Sequence, residues 1–568
     1  MLLDFESSWR GERAREIQEE DRGWSWMNSR PTVSVFVGQC GTRIGEQLLK
    51  QTDDAGERSG NCVEMEYGRN GDRKAWRARC VFVDSEPRAV RRVRDVFASS
   101  SSSSSGQRRS DNGRDERRNA GTATTTTSKR HGATPRCGIR DDSVVFPRRG
   151  GGGRGNNWAH GYASASEAPS ARGYAGERDA ELPLVEAALE RVRRETERCC
   201  TAPDILMCVG AGGGTGAGVG SRLIEGMRDT MGSTSCITAA ASFSAGAGDD
   251  HFGLFSPLEA YNATLCVQWL QSYADAVLVF DNGALSRELN LASGIAKTSS
   301  TVGEDDAVIC ALNSHVASTL ARLLMPLGSA SGACGIAAAS PLADFATTVC
   351  PIPALRFAEA RSASIGGAGS TNDVKTATLQ LLRGCRYDPY RQPRINAGGV
   401  AESIRASTAT TLARVLGSDA SGMSTEADIE SLVTRCIREN SGQVRWVGSG
   451  NDVDALAGTR VRISARCPTG LSFYSRPRLV RRRSTVSMGG DASIKGIASD
   501  IGASITLASC RSSTRSMLDR LSDRCSRLLD QRAYCHYYES HGCPVEAILD
   551  ALDVSRAIAD SYASFGLR

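Results

Sequence analysis

Gly210-Ala211-Gly212-Gly213-Gly214-Thr215-Gly216-Ala217-Gly218 stands between an apolar run and the start of a helical pattern. Its chemistry belongs to the main chain. Glycine permits positive φ and lets ligand oxygens approach the amides closely. A helix start behind the loop adds free N–H donors and partial positive charge. Thr215 adds a hydroxyl donor. Such a loop suits a phosphate or polyphosphate ligand. Two common phosphate loops do not fit. A Walker loop needs G-x-x-x-x-G-K-[ST], and the nearest candidate, Ala296-Lys297-Thr298, lacks both glycines. A dinucleotide fingerprint can be laid over Gly212, Gly214 and Ala217. The acid that should follow about twenty residues on is missing from Cys236-Ile237-Thr238-Ala239-Ala240-Ala241. With no lysine in the loop, phosphate charge must be met by amides, the helix dipole and Mg²⁺.

Other reactive groups form no comparable pattern. The chain has 568 residues and 19 cysteines, with 69 Lys and Arg against 64 Asp and Glu. No C-x-x-C pair exists, and Cys535, His536, His541 and Cys543 have no familiar zinc spacing, so packing is their expected role. A formal charge of +5 is small for this length and argues against a nucleic-acid-coating protein. No apolar run approaches the roughly 18 residues of a membrane span. Met1-Leu2-Leu3-Asp4-Phe5-Glu6 lacks the basic and apolar regions of a signal peptide. The thiols are therefore expected to be reduced and intracellular. Arg476, Arg478, Arg481, Arg482 and Arg483 form a basic cluster, read either as a solvated loop or as a contact for acidic tails.

The elements that must position the loop follow from periodicity. Thr32-Val33-Ser34-Val35-Phe36-Val37, Cys80-Val81-Phe82-Val83, Ile205-Leu206-Met207-Cys208-Val209 and Val277-Leu278-Val279-Phe280 read as buried strands. Helical patterns begin at Gly41 and run over 182–199. Alternating strands and helices predict an α/β fold with a parallel sheet, and a ligand site beyond the strands' carboxyl ends. Ile309, Leu312, Val316, Leu320 and Leu323 recur at helical spacing. The expected units are a disordered extension at 1–30, a nucleotide-binding domain at 31–303, a core helix at 304–327, an α+β intermediate domain at 328–512 and C-terminal helices at 513–568. Within the second unit, residues 98–154 read as a disordered insertion. They contain seven serines at 99–105, four threonines at 124–127 and glycines at 150–153.

Gly212-Gly213-Gly214-Thr215-Gly216-Ala217-Gly218 resembles the signature loop of the tubulin superfamily. Further segments resemble the family's motifs in the same order. They are Gly38-Gln39-Cys40-Gly41, Val81-Phe82-Val83-Asp84-Ser85-Glu86-Pro87, Asn156-Asn157, Glu259-Ala260-Tyr261-Asn262 and Val279-Phe280-Asp281-Asn282. Cys467-Pro468-Thr469-Gly470 and Arg532-Ala533-Tyr534-Cys535-His536 resemble landmarks near its C-terminus. Within the family, Gly155-Asn156-Asn157-Trp158-Ala159-His160-Gly161-Tyr162 and Pro341-Leu342-Ala343-Asp344 are most similar to the delta branch. The ending Ser564-Phe565-Gly566-Leu567-Arg568 lacks the acidic tail of alpha and beta chains.

The resemblance implies a Rossmann-type GTPase domain, GTP or GDP as ligand, and Mg²⁺. It implies that Gly38, Gln39 and Cys40 line the pocket, and that Asp84 and Glu86 orient Mg²⁺ waters or the γ-phosphate. Asn156 and Gly212, Gly213, Gly214, Thr215 and Gly216 would meet phosphate, Glu259 the ribose hydroxyls, and Asn282 and Asn313 the guanine edge. Asp344 would be the acid that completes hydrolysis in a neighbouring subunit's site. Thr42-Arg43, Gly210 and Ile309 depart from the family pattern. Ile309 stands where an aromatic would stack on guanine, a loss worth about 1 kcal/mol or more.

Two functions follow as expectations. One is a GTP-binding structural protein of centrioles, basal bodies, cilia or flagella. It would sit in the cytoplasm, the cytoskeleton or the nucleus and associate with alpha, beta or epsilon tubulins. The other is a GTPase that assembles with copies of itself. Neither nucleic acid nor membrane is expected as a partner.

Overall fold

The computed structural model describes residues 30–54, 63–67, 73–98, 138–147, 152–166, 182–244, 256–288, 302–324, 340–365, 371–391, 394–395, 401–402, 406–416, 426–440, 459–464 and 503–564. The expected N-terminal extension, residues 99–137, the motif at 467–470 and the arginine cluster at 476–483 lie outside them.

The first described element is β1 (Thr32–Val37), whose six residues are all buried, Thr32 and Ser34 included. Such unbroken burial marks a strand covered on both faces. Helix α1 (Gly38–Asp54) follows directly, three residues before the helix expected from Gly41. A hairpin, β2 (Val63–Tyr67) and β3 (Arg73–Ala78), precedes β4 (Cys80–Val83) and α2 (Pro87–Ala98). Then come β5 (Val144–Val145), α3 (Trp158–Ser164) and α4 (Leu184–Glu197). Within the stretch 98–154, most of which was expected as disordered insertion, Val144 and Val145 pair with Phe82 and Val83 as a parallel edge strand. A two-residue strand is too short to show periodicity, but Ile139 and Val145 anchor it in the core.

Next are β6 (Asp204–Gly210), a π-helical turn (Gly214–Val219) and α5 (Gly220–Met231). These are followed by β7 (Ile237–Phe243), α6 (Glu259–Tyr273), β8 (Ala276–Asp281), α7 (Asn282–Glu288) and the long α8 (Val302–Leu324). The second half holds α9 (Pro341–Val349), β9 (Phe357–Ser364), α10 (Thr371–Cys385), a hairpin of β10 (Arg394–Ile395) and β11 (Ala401–Glu402), and β12 (Thr408–Leu416). It continues through α11 (Glu426–Asn440), β13 (Thr459–Ser464) and β14 (Ser504–Arg511). The last helices are α12 (Ser512–Asp530), α13 (Cys535–Glu539) and α14 (Val545–Ser564). The first closing helix, expected as one piece to 539, breaks after Asp530 because Arg532 and Tyr534 adopt positive φ.

Among the described residues ten strands form one sheet, in the order β13-β12-β14-β9-β8-β7-β6-β1-β4-β5. From β5 to β9 every pairing is parallel. β14 then pairs antiparallel with both β9 and β12. The chain leaves β1 toward β4 and β5, then returns to β6 on the other flank of β1. That reversal opens a crevice beyond Val37 and Gly210, where open α/β sheets hold ligands. One core packs the parallel strands against their helices and against α12 and α14. A second core joins α10, α11, β12, β13 and β14 through residues such as Val374, Leu381, Val433 and Ile505.

Candidate functional site

Two adjoining cavities open at this crevice. The larger, about 650 Å³, is bounded by the turn Gly153-Arg154-Gly155-Asn156, by Asp84 and Glu86, and by Gly210, Gly213, Gly214, Thr215 and Gly216. The smaller, about 260 Å³, is lined by Asn282, Ser286, Val308, Ile309, Leu312 and Asn313 together with Arg43 and Ser244. Gln39 and Cys40, at the start of α1, line both. A glycine-lined polar chamber thus continues into one with an aliphatic wall and two amides.

Absent side chains shape the larger cavity. Gly38 has φ +72°, and a Cβ there would lie 2.7 Å from Gly216 N. A Cβ on Gly216 would lie 2.6 Å from Gly210 O, and one on Gly41 would lie 2.3 Å from Cys208 O. β6, α1 and the glycine loop therefore pack backbone on backbone. Gly213 differs, since the nearest atom to a Cβ there is Asn156 Oδ1 at 3.7 Å. The loop does not lead straight into an α-helix but winds through the π-helical turn. Such turns recur at functional sites.

The polar groups are placed with care. Asp84 Oδ1 accepts from Glu86 N at 3.0 Å, while the buried Oδ2 has no partner. Burial pushes the Asp84 carboxyl up to about 6, with the Glu86 charge adding and Arg154 opposing. The Thr215 hydroxyl is 2.7 Å from the Ser85 hydroxyl, so it is already engaged. Of the paired asparagines, Asn156 lines the cavity with φ 51°, whereas Asn157 caps α3 through its side-chain oxygen. Asn313 Nδ2 is buried without a partner.

Four expected residues lie outside the linings: Gly38, Gly212, Glu259 and Asp344. Gly38 is structural, packed on Gly216. Gly212 turns its carbonyl to Asn262 Nδ2 at 2.8 Å. Glu259 packs its side chain 3.0 Å from where a Cβ on Gly212 would be, and its Oε2 has no partner. Burial pushes Glu259 up to about 7, with the Arg524 charge opposing. Asp344 stands apart, in the first turn of α9. Its neighbour Ser340 pairs with Asp204, which begins β6, whereas the cavity lies where β6 ends at Gly210. At about 3.3 Å per residue the two ends are roughly 20 Å apart.

Two residues were missed as functional. Asn262 is fully buried and ties the loops together. Arg154 lines the larger cavity, although it sits in a glycine-rich stretch that reads as insertion. A cation two residues before the paired asparagines was the available signal. Among the described residues no group of three or more His, Cys, Asp and Glu could hold a metal. Cys535 and Cys543 are buried, and His541 stacks on His160 with ring centroids 4.3 Å apart. No helix among the described residues is long and apolar enough to cross a membrane.

Comparison with known proteins bears on the same segment. Residues 150–290 match the Tubulin/FtsZ family, GTPase domain. A stretch of 148 residues is 34% identical to "Tubulin beta-1 chain" of Glycine max, covering 26% of this chain and 28% of that one. "Tubulin beta-6 chain" of Gossypium hirsutum matches at 34% over 148 residues, with 26% and 27% covered. The matched stretch thus spans little more than a quarter of either relative. The mostly parallel α/β sheet is consistent with a tubulin-like fold, and residues 150–290 are similar to that family's GTPase domain.

Proposed function

We propose that the chain binds GTP or GDP, phosphates in the larger cavity and guanine in the smaller. The observation that carries this reading is the sharing of Gln39 and Cys40 by both cavities, which makes one continuous nucleotide-length site. Amides of the glycine loop and the amide of Asn156 would donate to phosphate oxygens. Glu259 would accept from ribose hydroxyls. Asn282 and Asn313 would pair with the guanine edge, because an amide offers both donor and acceptor.

The orphaned Asp84 oxygen and the nearby Glu86 carboxylate fit Mg²⁺ held through its waters. When bound, the ion would neutralise charge on the terminal phosphates. Asp84 and Glu86 would fix its position without filling its coordination shell.

The wider role proposed is that of a delta-type tubulin acting with other tubulins in centriole, basal-body and flagellar microtubule assembly. The delta-like sequence at Gly155 to Tyr162 supports it. In the alternative, the chain stacks on itself and Asp344 completes hydrolysis in the next subunit. The position of Asp344 beyond the far end of β6 suits such stacking. Its 5% exposure does not, so the non-hydrolysing reading is preferred.

Acid extraction of the purified full-length chain, followed by chromatography, tests the nucleotide assignment. GDP or GTP near one per chain is expected. Absence of any guanine nucleotide, and of binding at millimolar concentrations, would contradict it.

A further inference from the structure

The larger cavity presents a charge problem. Asp84 and Glu86 bring two carboxylates to it, and the glycine loop brings no cation. A nucleoside triphosphate would add further negative charge. Among the described residues that line this cavity, Arg154 alone carries a positive charge.

Its placement is fixed by the backbone. Asn157 N donates to Arg154 O at 3.0 Å and closes a turn. The central residues, Gly155 at φ +59° and Asn156 at φ +51°, both take the left-handed conformation. That turn lies directly on the glycine loop. A Cβ on Gly214 would fall 2.9 Å from Arg154 Cβ, 2.9 Å from Arg154 O and 2.8 Å from Asn157 N. The root of the arginine is therefore held at the start of the π-helical turn, where the loop's free amides gather. The same turn meets the carboxylates, since a Cβ on Gly153, the residue before Arg154, would lie 2.6 Å from Glu86 Oε1. Arg154 thus shares a wall with Asp84 and Glu86, the end of the cavity assigned above to the terminal phosphate and Mg²⁺.

We infer that Arg154 is a specificity-determining residue that reads the terminal phosphate and makes the site prefer a nucleoside triphosphate to a diphosphate. The inference rests on the nucleotide reading proposed above. A planar guanidinium offers paired N–H donors to two phosphate oxygens, geometry that a lysine cannot reproduce. When the triphosphate enters, Arg154 engages its terminal phosphate, and Asp84 and Glu86 orient Mg²⁺ waters. Because the cation is part of the chain, part of the preference persists without the metal.

The test is equilibrium binding of GTP and GDP to the full-length, nucleotide-stripped chain, with Mg²⁺ and again with EDTA. The wild type should keep a preference for GTP in EDTA. Arg154→Gln should weaken GTP by about tenfold or more, as loss of a charge-assisted pair does, and GDP much less. Arg154→Lys should recover only part of the GTP affinity. Equal weakening of both nucleotides, unchanged affinities, or full rescue by lysine would overturn the inference while leaving the nucleotide site standing. If Arg154→Gln does not fold, the wild-type result in EDTA decides alone: loss of the GTP preference overturns the inference. Wild type that binds neither nucleotide removes the proposed function itself.

Discussion

The Tyr538 hydroxyl donates to Asn262 Oδ1 at 2.6 Å, joining α13 to α6 across 276 residues. The same amide accepts from Trp158 N at 2.8 Å and donates to Asn156 O and Gly212 O, each at 2.8 Å. All four hydrogen-bonding positions of Asn262 are filled. One buried side chain thereby holds the paired-asparagine turn, the glycine loop and the C-terminal helices in register. Asn262→Ala leaves several buried groups without partners, at a cost of about 3 kcal/mol or more. Tyr538→Phe removes a single donor and costs about 1 kcal/mol. Urea unfolding read at a common midpoint should rank the two in that order, with the alanine variant also losing guanine nucleotide.

The glycines separate folding from binding. Gly216→Ala drives a Cβ to 2.6 Å from a carbonyl oxygen, and Gly38→Ala adds a positive φ to a 2.7 Å clash. Both should be strongly destabilised. Gly213→Ala meets nothing nearer than 3.7 Å, so it should fold with a near-native melting temperature. Its methyl projects toward the larger cavity, and phosphate affinity should fall. Circular dichroism beside nucleotide titration distinguishes these outcomes. A Gly213→Ala variant that unfolds like Gly216→Ala would contradict the proposed packing.

The two buried carboxyls give the ligand-free protein a directional response to pH. Burial raises Asp84 to about 6 and Glu259 to about 7, both above their unfolded values. The folded state therefore holds more protons than the unfolded state between roughly pH 4 and pH 7. Their contribution to stability is fully present below the unfolded values and is lost as pH rises through 6 and 7. Asp84→Asn and Glu259→Gln should each flatten the fall of melting temperature across that window. An unchanged slope in the double variant would rule out these two groups as its source.

In the smaller cavity, Ile309 offers an aliphatic wall where stacking is expected from an aromatic. Ile309→Tyr should tighten guanine nucleotide by about fivefold, corresponding to about 1 kcal/mol of added stacking. Asn313→Ala should reduce the preference for GDP over ADP, because it removes the unpartnered Nδ2 donor poised to meet an acceptor on the guanine edge. Competition binding with both nucleotides reads each effect.

Much of this was legible in the residues. The strands at 80–83, 205–209 and 277–280 are unbroken apolar runs, and that at 32–37 is interrupted only by the small Thr32 and Ser34, as burial on both faces of a parallel sheet favours. The glycine loop was visible as a place of close backbone approach, because glycine composition reports it directly. Long-range placement stayed hidden. Val144 and Val145 join the sheet through pairing with β4, which no local pattern records. Asn262 acts through partners 50 to 276 residues distant. Arg154 is drawn into the cavity by the docking of its turn on Gly214, a contact that composition conceals. Gly38 and Gly212, expected at the ligand, instead give their space to backbone packing and to Glu259.

A crystal structure of the chain with bound GDP bears most directly on the two-chamber site. The phosphates should lie about 3 Å from the amides of Gly213 to Gly216, with the base between Gln39 and Cys40 on one side and Asn282 and Asn313 on the other. Density for the nucleotide in any other cavity, or a base directed away from Asn282 and Asn313, would contradict that assignment.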